Sequence, residues 1–187
     1  MGKIILASSS PRRRDLLKKA DYDFEIIPSP YVEDHTKTDF SYEFIESLAV
    51  NKALAVIPLL KEPSTIIGAD TVVVLDNKIL GKPKDKQDAF NTLKKLSNNT
   101  HIVVTGIAVV NSKTHEVKQA SSTSCVTFEN LTDEQINLYI NEFKPLDKAG
   151  SYGIQEMPSG YIKSYTGRLD NIIGLDVELV GKLLHKK

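Results

Sequence analysis

Two long runs rich in β-branched and small residues, 101–111 and 117–128, stand on either side of a short polar turn. Such runs favour extended backbone, and the turn makes them an antiparallel hairpin. Residues 65–75 form a third strand of the same kind, with a turn at Asn77-Lys78. The remaining segments alternate differently. Ile4-Ile5-Leu6-Ala7 reads as a buried strand, followed by a helix from Pro11 to Ala20 with Leu16, Leu17 and Ala20 inward. A short strand at 24–27, a polar loop over 28–39 and a long helix over 41–60 come next. A helix at 85–96 turns Ala89, Leu93 and Leu96 inward. Thr132-Asp133-Glu134-Gln135 is a capping box that opens a helix to about Glu142. A glycine-rich stretch, 150–160, leads into a strand at 161–164, and the last helix covers 176–185. This order predicts an α/β protein with a mixed sheet and flanking helices, not a regular βαβ repeat. Neither a repeat nor a linker divides the 187 residues, so 1–187 is expected to be one domain, large enough for two lobes around a cleft.

Charge narrows the choice of partner. Lys+Arg and Asp+Glu both number 24, so the net charge is zero. A general nucleic-acid binder carries a basic surplus, so any positive potential here is local and suits a small anionic ligand. The lone cysteine, Cys125, excludes an internal disulfide, fits a reducing compartment and reads as a small buried hydrophobe. With no signal pattern and no apolar run of transmembrane length, the expected location is the cytoplasm, away from membranes.

Ser8-Ser9-Ser10-Pro11-Arg12-Arg13-Arg14 carries the strongest chemical signal. Ser10 reads as an N-cap and Pro11 as the first helical residue. Arg12 and Arg13 then fall at the positive end of the helix dipole, where cations are unfavourable. An anion resolves the conflict, because backbone N–H groups, the hydroxyls of Ser8 and Ser10 and the arginine forks can converge on phosphate oxygens. The plainer reading is a solvated basic patch.

Other residues break the pattern around them. Asp70 interrupts the apolar run Ile66-Ile67-Gly68-Ala69-Asp70-Thr71-Val72-Val73-Val74, and a buried carboxylate needs a metal, a lysine or a proton. Gly68 and Ala69 leave room for an approach to the backbone. The alternative is an aspartate bonded to nearby amides. Lys52 shares a helical stripe with Ile45, Leu48 and Ala49, which aims it inward at a phosphate unless it snorkels to the rim. Gly81-Lys82-Pro83 can hold an ammonium in a stiff loop. Glu33-Asp34 is either a solvated loop pair or, with Asp70, part of a Mg²⁺ site, since magnesium takes one or two carboxylates plus phosphates and waters. In the run 147–155, Gln155 can read a base edge. The Walker A, G-x-G-x-x-G and G-x-S-x-G motifs are all absent, and His35, His101, His115 and His185 lack zinc spacing.

Together these segments resemble the Maf family of nucleoside triphosphate pyrophosphatases. The matching residues are Leu6-Ala7-Ser8-Ser9-Ser10-Pro11-Arg12-Arg13, Lys52-Ala53, Gly68-Ala69-Asp70-Thr71, Gly81-Lys82-Pro83, Thr105-Gly106 and the run from Asp147 to Gln155, in order over nearly the whole chain. The last run resembles the branch acting on dTTP and UTP. The resemblance implies an elongated fold similar to inosine triphosphate pyrophosphatases, with two lobes around a central cleft. It implies hydrolysis of a nucleoside triphosphate, dTTP, UTP or a modified pyrimidine nucleotide, to monophosphate and pyrophosphate with Mg²⁺ or Mn²⁺, and a homodimer. Asp70 corresponds to the proton acceptor, acting directly or through water held by the ion, and doubles as a metal ligand with Glu33. Arg12, Thr71 and Gln155 fall on selectivity positions; Ser8, Arg13, Lys52 and Lys82 match the phosphate site. A nucleotide-binding regulator of cell division without turnover is the alternative. Two departures stand out: Glu156-Met157-Pro158 where the family has glycine after Ile-Gln, and Asp176 where it has proline. Asp176 reads as a cap for the last helix.

Overall fold

The computed structural model describes residues 2–33 and 38–185. Strand β1 (Lys3–Leu6) leads into helix α1 (Pro11–Lys19) and strand β2 (Glu25–Ile26). Helix α2 (Tyr42–Leu54), strands β3 (Ser64–Leu75) and β4 (Lys78–Leu80), and helix α3 (Lys86–Leu96) follow. Next come β5 (Thr100–Asn111), β6 (Val117–Phe128), α4 (Asp133–Phe143), β7 (Ile162–Thr166), α5 (Leu169–Ile173) and α6 (Val177–His185). The sheet runs β2-β1-β3-β5-β6-β7, with β4 also on β3. β1 pairs in parallel with β2 and β3, and the other pairings are antiparallel, so the sheet is mixed as expected.

Several boundaries differ from expectation for physical reasons. The long helix stops at Leu54 rather than residue 60, and a single 3₁₀ turn covers Ile57–Leu59. Pro58 cannot donate a backbone hydrogen bond, and its ring would strike the Leu54 carbonyl in a continued helix. Ala20 is exposed, because α1 ends at Lys19 and the chain turns at Asp21, whose φ is 57°. Leu17, fully buried, anchors α1 instead. The β3–β4 turn sits one residue earlier than expected, on Asp76 and Asn77, both with positive φ as a two-residue primed hairpin turn requires. α5 was not visible in the pattern at all. Cys125 is only partly buried, because on β6 it stands beside Thr166 of β7, the edge strand, which is exposed. The capping box forms with both hydrogen bonds, and Asp176 caps α6 by accepting from the Leu179 N–H at 2.9 Å.

Two glycines decide how α2 lies on the sheet. A Cβ on Gly68 would stand 2.1 Å from the Ala49 carbonyl oxygen, and one on Gly106 2.6 Å from that of Ile45. Ile45 and Ala49 are one helical turn apart, so consecutive turns of α2 rest on bare backbone. What approaches the strand at Gly68 is a helix.

Residues alternate along β3 between two faces. On one, Ile67 and Ala69 join Leu17 of α1 and Val180 and Leu183 of α6, while Val73 joins a separate cluster with Leu93 of α3 and Tyr139 of α4. Thr71 falls between the clusters. On the other, Ile66 packs with Ala53 and Val56, and Val72 and Val74 with Ile45 and Leu48. Asp70 falls between those. The sheet itself is open at this point. β5 pairs with β3 over residues 65–74, but on the opposite edge β1 takes residues 64–67 and β4 only 73–75. Residues 68–72 have no strand partner there, and both faces of β3 reach the gap.

Candidate active site

A cavity of about 770 Å³ fills this gap, and Ser8, Ser10, Arg12, Arg13, Glu33, Lys52, Asp70, Thr71, Lys82 and Gln155 all line it. The sequence thus identified residues from distant segments that the fold brings to one place. Asp34, and with it half of the Glu33-Asp34 pair, lies outside the described residues, as does His35.

The segment between β1 and α1 forms one wall. The Ser10 side chain occupies the N-cap position without capping, and the first turn of α1 holds no acidic residue. Its positive end is therefore uncompensated by the chain's own acids. The Ser10 N–H donates to Ser8 Oγ at 3.2 Å. Arg13 behaves differently from a free phosphate fork. Its Nε donates to the Gly174 carbonyl (2.9 Å), Nη1 to Ser8 Oγ (3.3 Å) and Nη2 to Thr71 Oγ1 (3.1 Å). Burial lowers its pKa, against the opposing charge of Asp70, and an arginine stays protonated regardless. Arg13 thus ties α1, β3 and α5 together and brings fixed positive charge to the cavity. The Thr71 hydroxyl is held as well, 2.9 Å from Thr105 Oγ1 and 3.2 Å from the Gly174 carbonyl. Arg12 reaches across to Asp147 Oδ2 at 3.4 Å.

At the centre, Lys52 bridges two acids. Its Nζ stands 2.5 Å from Asp70 Oδ1 and 2.7 Å from Glu33 Oε1. Lys52 projects from α2 on the face that Gly68 and Gly106 let lie flush, so the glycines set this reach. Asp70 is 6% exposed and compensated by an ammonium, which decides against amide partners as its main support. The two carboxylates converge on one point, a donor set suited to a magnesium ion that also takes phosphate oxygens and water. Among the described residues no third acid, histidine or cysteine joins them. Lys52 Nζ stands between the two carboxylates that would hold such an ion.

Lys82 is exposed at the mouth, with no ion pair among the described residues. Its loop owes its fixity less to Gly81, which has open space around it, than to buried Pro83 and a hydrogen bond from the Gly150 N–H to the Gly81 carbonyl (3.1 Å). Gly150 adopts φ 66°, and a Cβ there would lie 2.7 Å from Val73. Gln155, exposed on the cavity wall in the 3₁₀ turn Ile154–Glu156, has no hydrogen bond to another described residue.

Sequence reasoning missed three supporting residues. Lys148, 7% exposed, pairs with Asp147 (3.0 Å) and Glu156 (3.2 Å). The signal for it was the alternation of charge inside a glycine-rich run. Asn171, fully buried, donates through Nδ2 to the Val103 carbonyl and Ser124 Oγ, and its backbone carbonyl accepts from the Thr105 hydroxyl. Nothing in its local sequence marks it. His101 supports Tyr152 in the cavity wall through a 2.8 Å hydrogen bond, and burial pushes its pKa down to about 4. In the sequence it is only one of four histidines that lack zinc spacing.

The family described as "Maf-like protein" matches residues 3–187. A dTTP/UTP pyrophosphatase of Clostridium novyi (strain NT) is 43% identical over 183 residues, covering 97% of this chain and 95% of the relative. One from Thermosipho africanus (strain TCF52B) is 43% identical over 182 residues, 97% of this chain and 92% of the relative. Among solved structures, a HAM1 protein from Coxiella burnetii shares 17% identity over 70% of this chain and 75% of its own, with a TM-score of 0.47. The family model's match to nearly the whole chain and the 43% identity of the two pyrophosphatases place this chain in the Maf-like family.

Proposed function

We propose that the cavity hydrolyses nucleoside triphosphates, dTTP and UTP foremost, to the monophosphate and pyrophosphate. One observation carries this reading: a buried carboxylate, Asp70, faces the uncapped cationic start of α1 across a cavity opened by a break in the sheet. The names of the relatives support the choice of substrate.

The residues divide the work by position. The amides at the start of α1, with the hydroxyls of Ser8 and Ser10 and the charge of Arg13, receive phosphate oxygens. Lys82, free of ion pairs among the described residues, closes on the polyphosphate from the mouth. Asp70 and Glu33 would hold a divalent cation, Mg²⁺ or Mn²⁺, which would supply positive charge beside the phosphates. Lys52, whose ammonium lies against both acids, is placed to turn toward a phosphate. Asp70 accepts a proton from the water that attacks the α-phosphorus, and pyrophosphate leaves. Positioning and charge do most of this work, as in phosphoryl transfer generally. Arg12, Thr71 and Gln155 face the nucleoside.

The test is product analysis with a panel of nucleoside triphosphates and Mg²⁺. The reading expects equimolar monophosphate and pyrophosphate, fastest with dTTP and UTP. Release of inorganic phosphate would make the protein a phosphomonoesterase, and affinity without turnover would make it a nucleotide-binding regulator.

A further inference from the structure

Gln155 poses a problem of selectivity. A glutamine amide carries a donor and an acceptor side by side, and a half-turn exchanges them. One orientation matches N3–H and O4 of uracil or thymine; the other matches N3 and the amino group of cytosine. With no hydrogen bond to a described residue, the Gln155 amide is not locked in either. Discrimination then depends on how the turn presents this amide to the base and its surroundings.

The turn is held by a chain of charges. Arg12 reaches Asp147, Asp147 pairs with Lys148, and Lys148 pairs with Glu156, the residue after Gln155. Glu156 Oε2 is buried with no hydrogen bond of good geometry, so the ammonium at 3.2 Å is its support. Gly153 makes the arrangement possible: a Cβ there would lie 3.1 Å from Lys148 Cε and 3.3 Å from Glu156 Oε2. The Glu156 N–H also donates to the Gly153 carbonyl, and the Gly153 N–H donates to the Tyr139 hydroxyl. The buried lysine thus joins both ends of the segment 147–156 and fixes the turn from inside.

We propose that Lys148 and Glu156 are positioning residues for base selection, holding the turn so that Gln155 favours uracil and thymine over cytosine. This rests on the reading of the cavity as a nucleotide pyrophosphatase with Gln155 toward the base. The test compares kcat and KM for UTP and CTP in the unmutated protein, Glu156→Gln, Lys148→Met and the double variant, with melting curves on each. Glu156 is partly exposed, so Glu156→Gln keeps the fold even where Lys148→Met does not. The expected result is a fall in the UTP-to-CTP ratio of kcat/KM of roughly threefold to thirtyfold, as contacting charges couple by such amounts. It resides in the KM for UTP, and the double variant loses no more than Lys148→Met alone. A folded Glu156→Gln protein with an unchanged ratio, or with equal losses on both substrates, overturns the inference. If the unmutated protein releases no pyrophosphate, the reading beneath it falls as well, and the two failures are told apart.

Discussion

The Lys52 ammonium lies 2.5 Å from Asp70 Oδ1, on the face of β3 opposite to Thr71 and Arg13. Adjacent residues of one strand therefore serve the cavity from two sides of the sheet, and the missing strand partner at 68–72 lets both reach it. Asp70 is the acid with the fewest substitutes. Asp70→Asn keeps the shape and the hydrogen-bonding oxygen but cannot take a proton. It should bind UTP and lose at least ~100-fold in turnover, the low end of what a general base contributes. Steady-state kinetics paired with calorimetric binding check this, and turnover near normal would remove Asp70 from the role.

A divalent ion held by Asp70 and Glu33, as proposed, would compete with Lys52 for the same two carboxylates. Lys52→Met leaves Glu33 and Asp70 facing each other without the ammonium between them, and breaking a largely buried pair costs about 3 kcal/mol. Magnesium alone should restore much of that loss. The expected result is a lower melting temperature for the variant without metal and a larger upward shift on adding Mg²⁺ than the unmutated protein shows. Equal shifts in both would mean that the carboxylates do not take the ion.

The reach of Lys52 depends on bare backbone under α2. Gly68→Ala places a methyl group 2.1 Å from the Ala49 carbonyl oxygen, which only displacement of the helix can relieve. Overpacking of this kind costs about 1–3 kcal/mol. Urea unfolding should show that loss, together with a drop in turnover as Lys52 moves from Asp70. A fully stable and active variant would show that α2 does not set the site.

Much of this was legible in the sequence because rule-breaking residues mark where packing gives way to chemistry. Asp70 in an apolar strand, Lys52 on a buried stripe and Arg12 and Arg13 at a helix start each broke the local pattern, and all of them line the cavity. The mixed sheet followed from long runs rich in β-branched residues and from the polar turn between two of them. What escaped was everything decided by contacts between distant segments. Gly68 signalled a close approach, but only the fold shows that a helix makes it. Arg13 looked free for phosphate, whereas Gly174, 161 residues away, holds its Nε. The five residues of α5 are too few to display a helical period.

His101 gives the stability a specific pH dependence. Its imidazole packs against Phe128 and Tyr152, and burial lowers its pKa from 6.5 to about 4. Between those values the unfolded chain takes up a proton that the folded one refuses. This contribution is complete above about pH 6.5, falls as the pH is lowered toward 4 and levels off below, amounting to about 3 kcal/mol. His101→Gln removes it. The difference in unfolding free energy between the two proteins should slope between pH 4 and 6.5 and flatten above. A difference independent of pH would place the imidazole in contact with water.

The position of attack tests the account at its centre. Hydrolysis of UTP in H₂¹⁸O, followed by mass spectrometry of both products, reports which phosphorus the water meets. Water activated by Asp70 at the α-phosphorus puts the label in UMP and leaves the pyrophosphate unlabelled. Label in the pyrophosphate, or a diphosphate with labelled inorganic phosphate, would contradict the placement of the substrate along the cavity and the role given to Asp70.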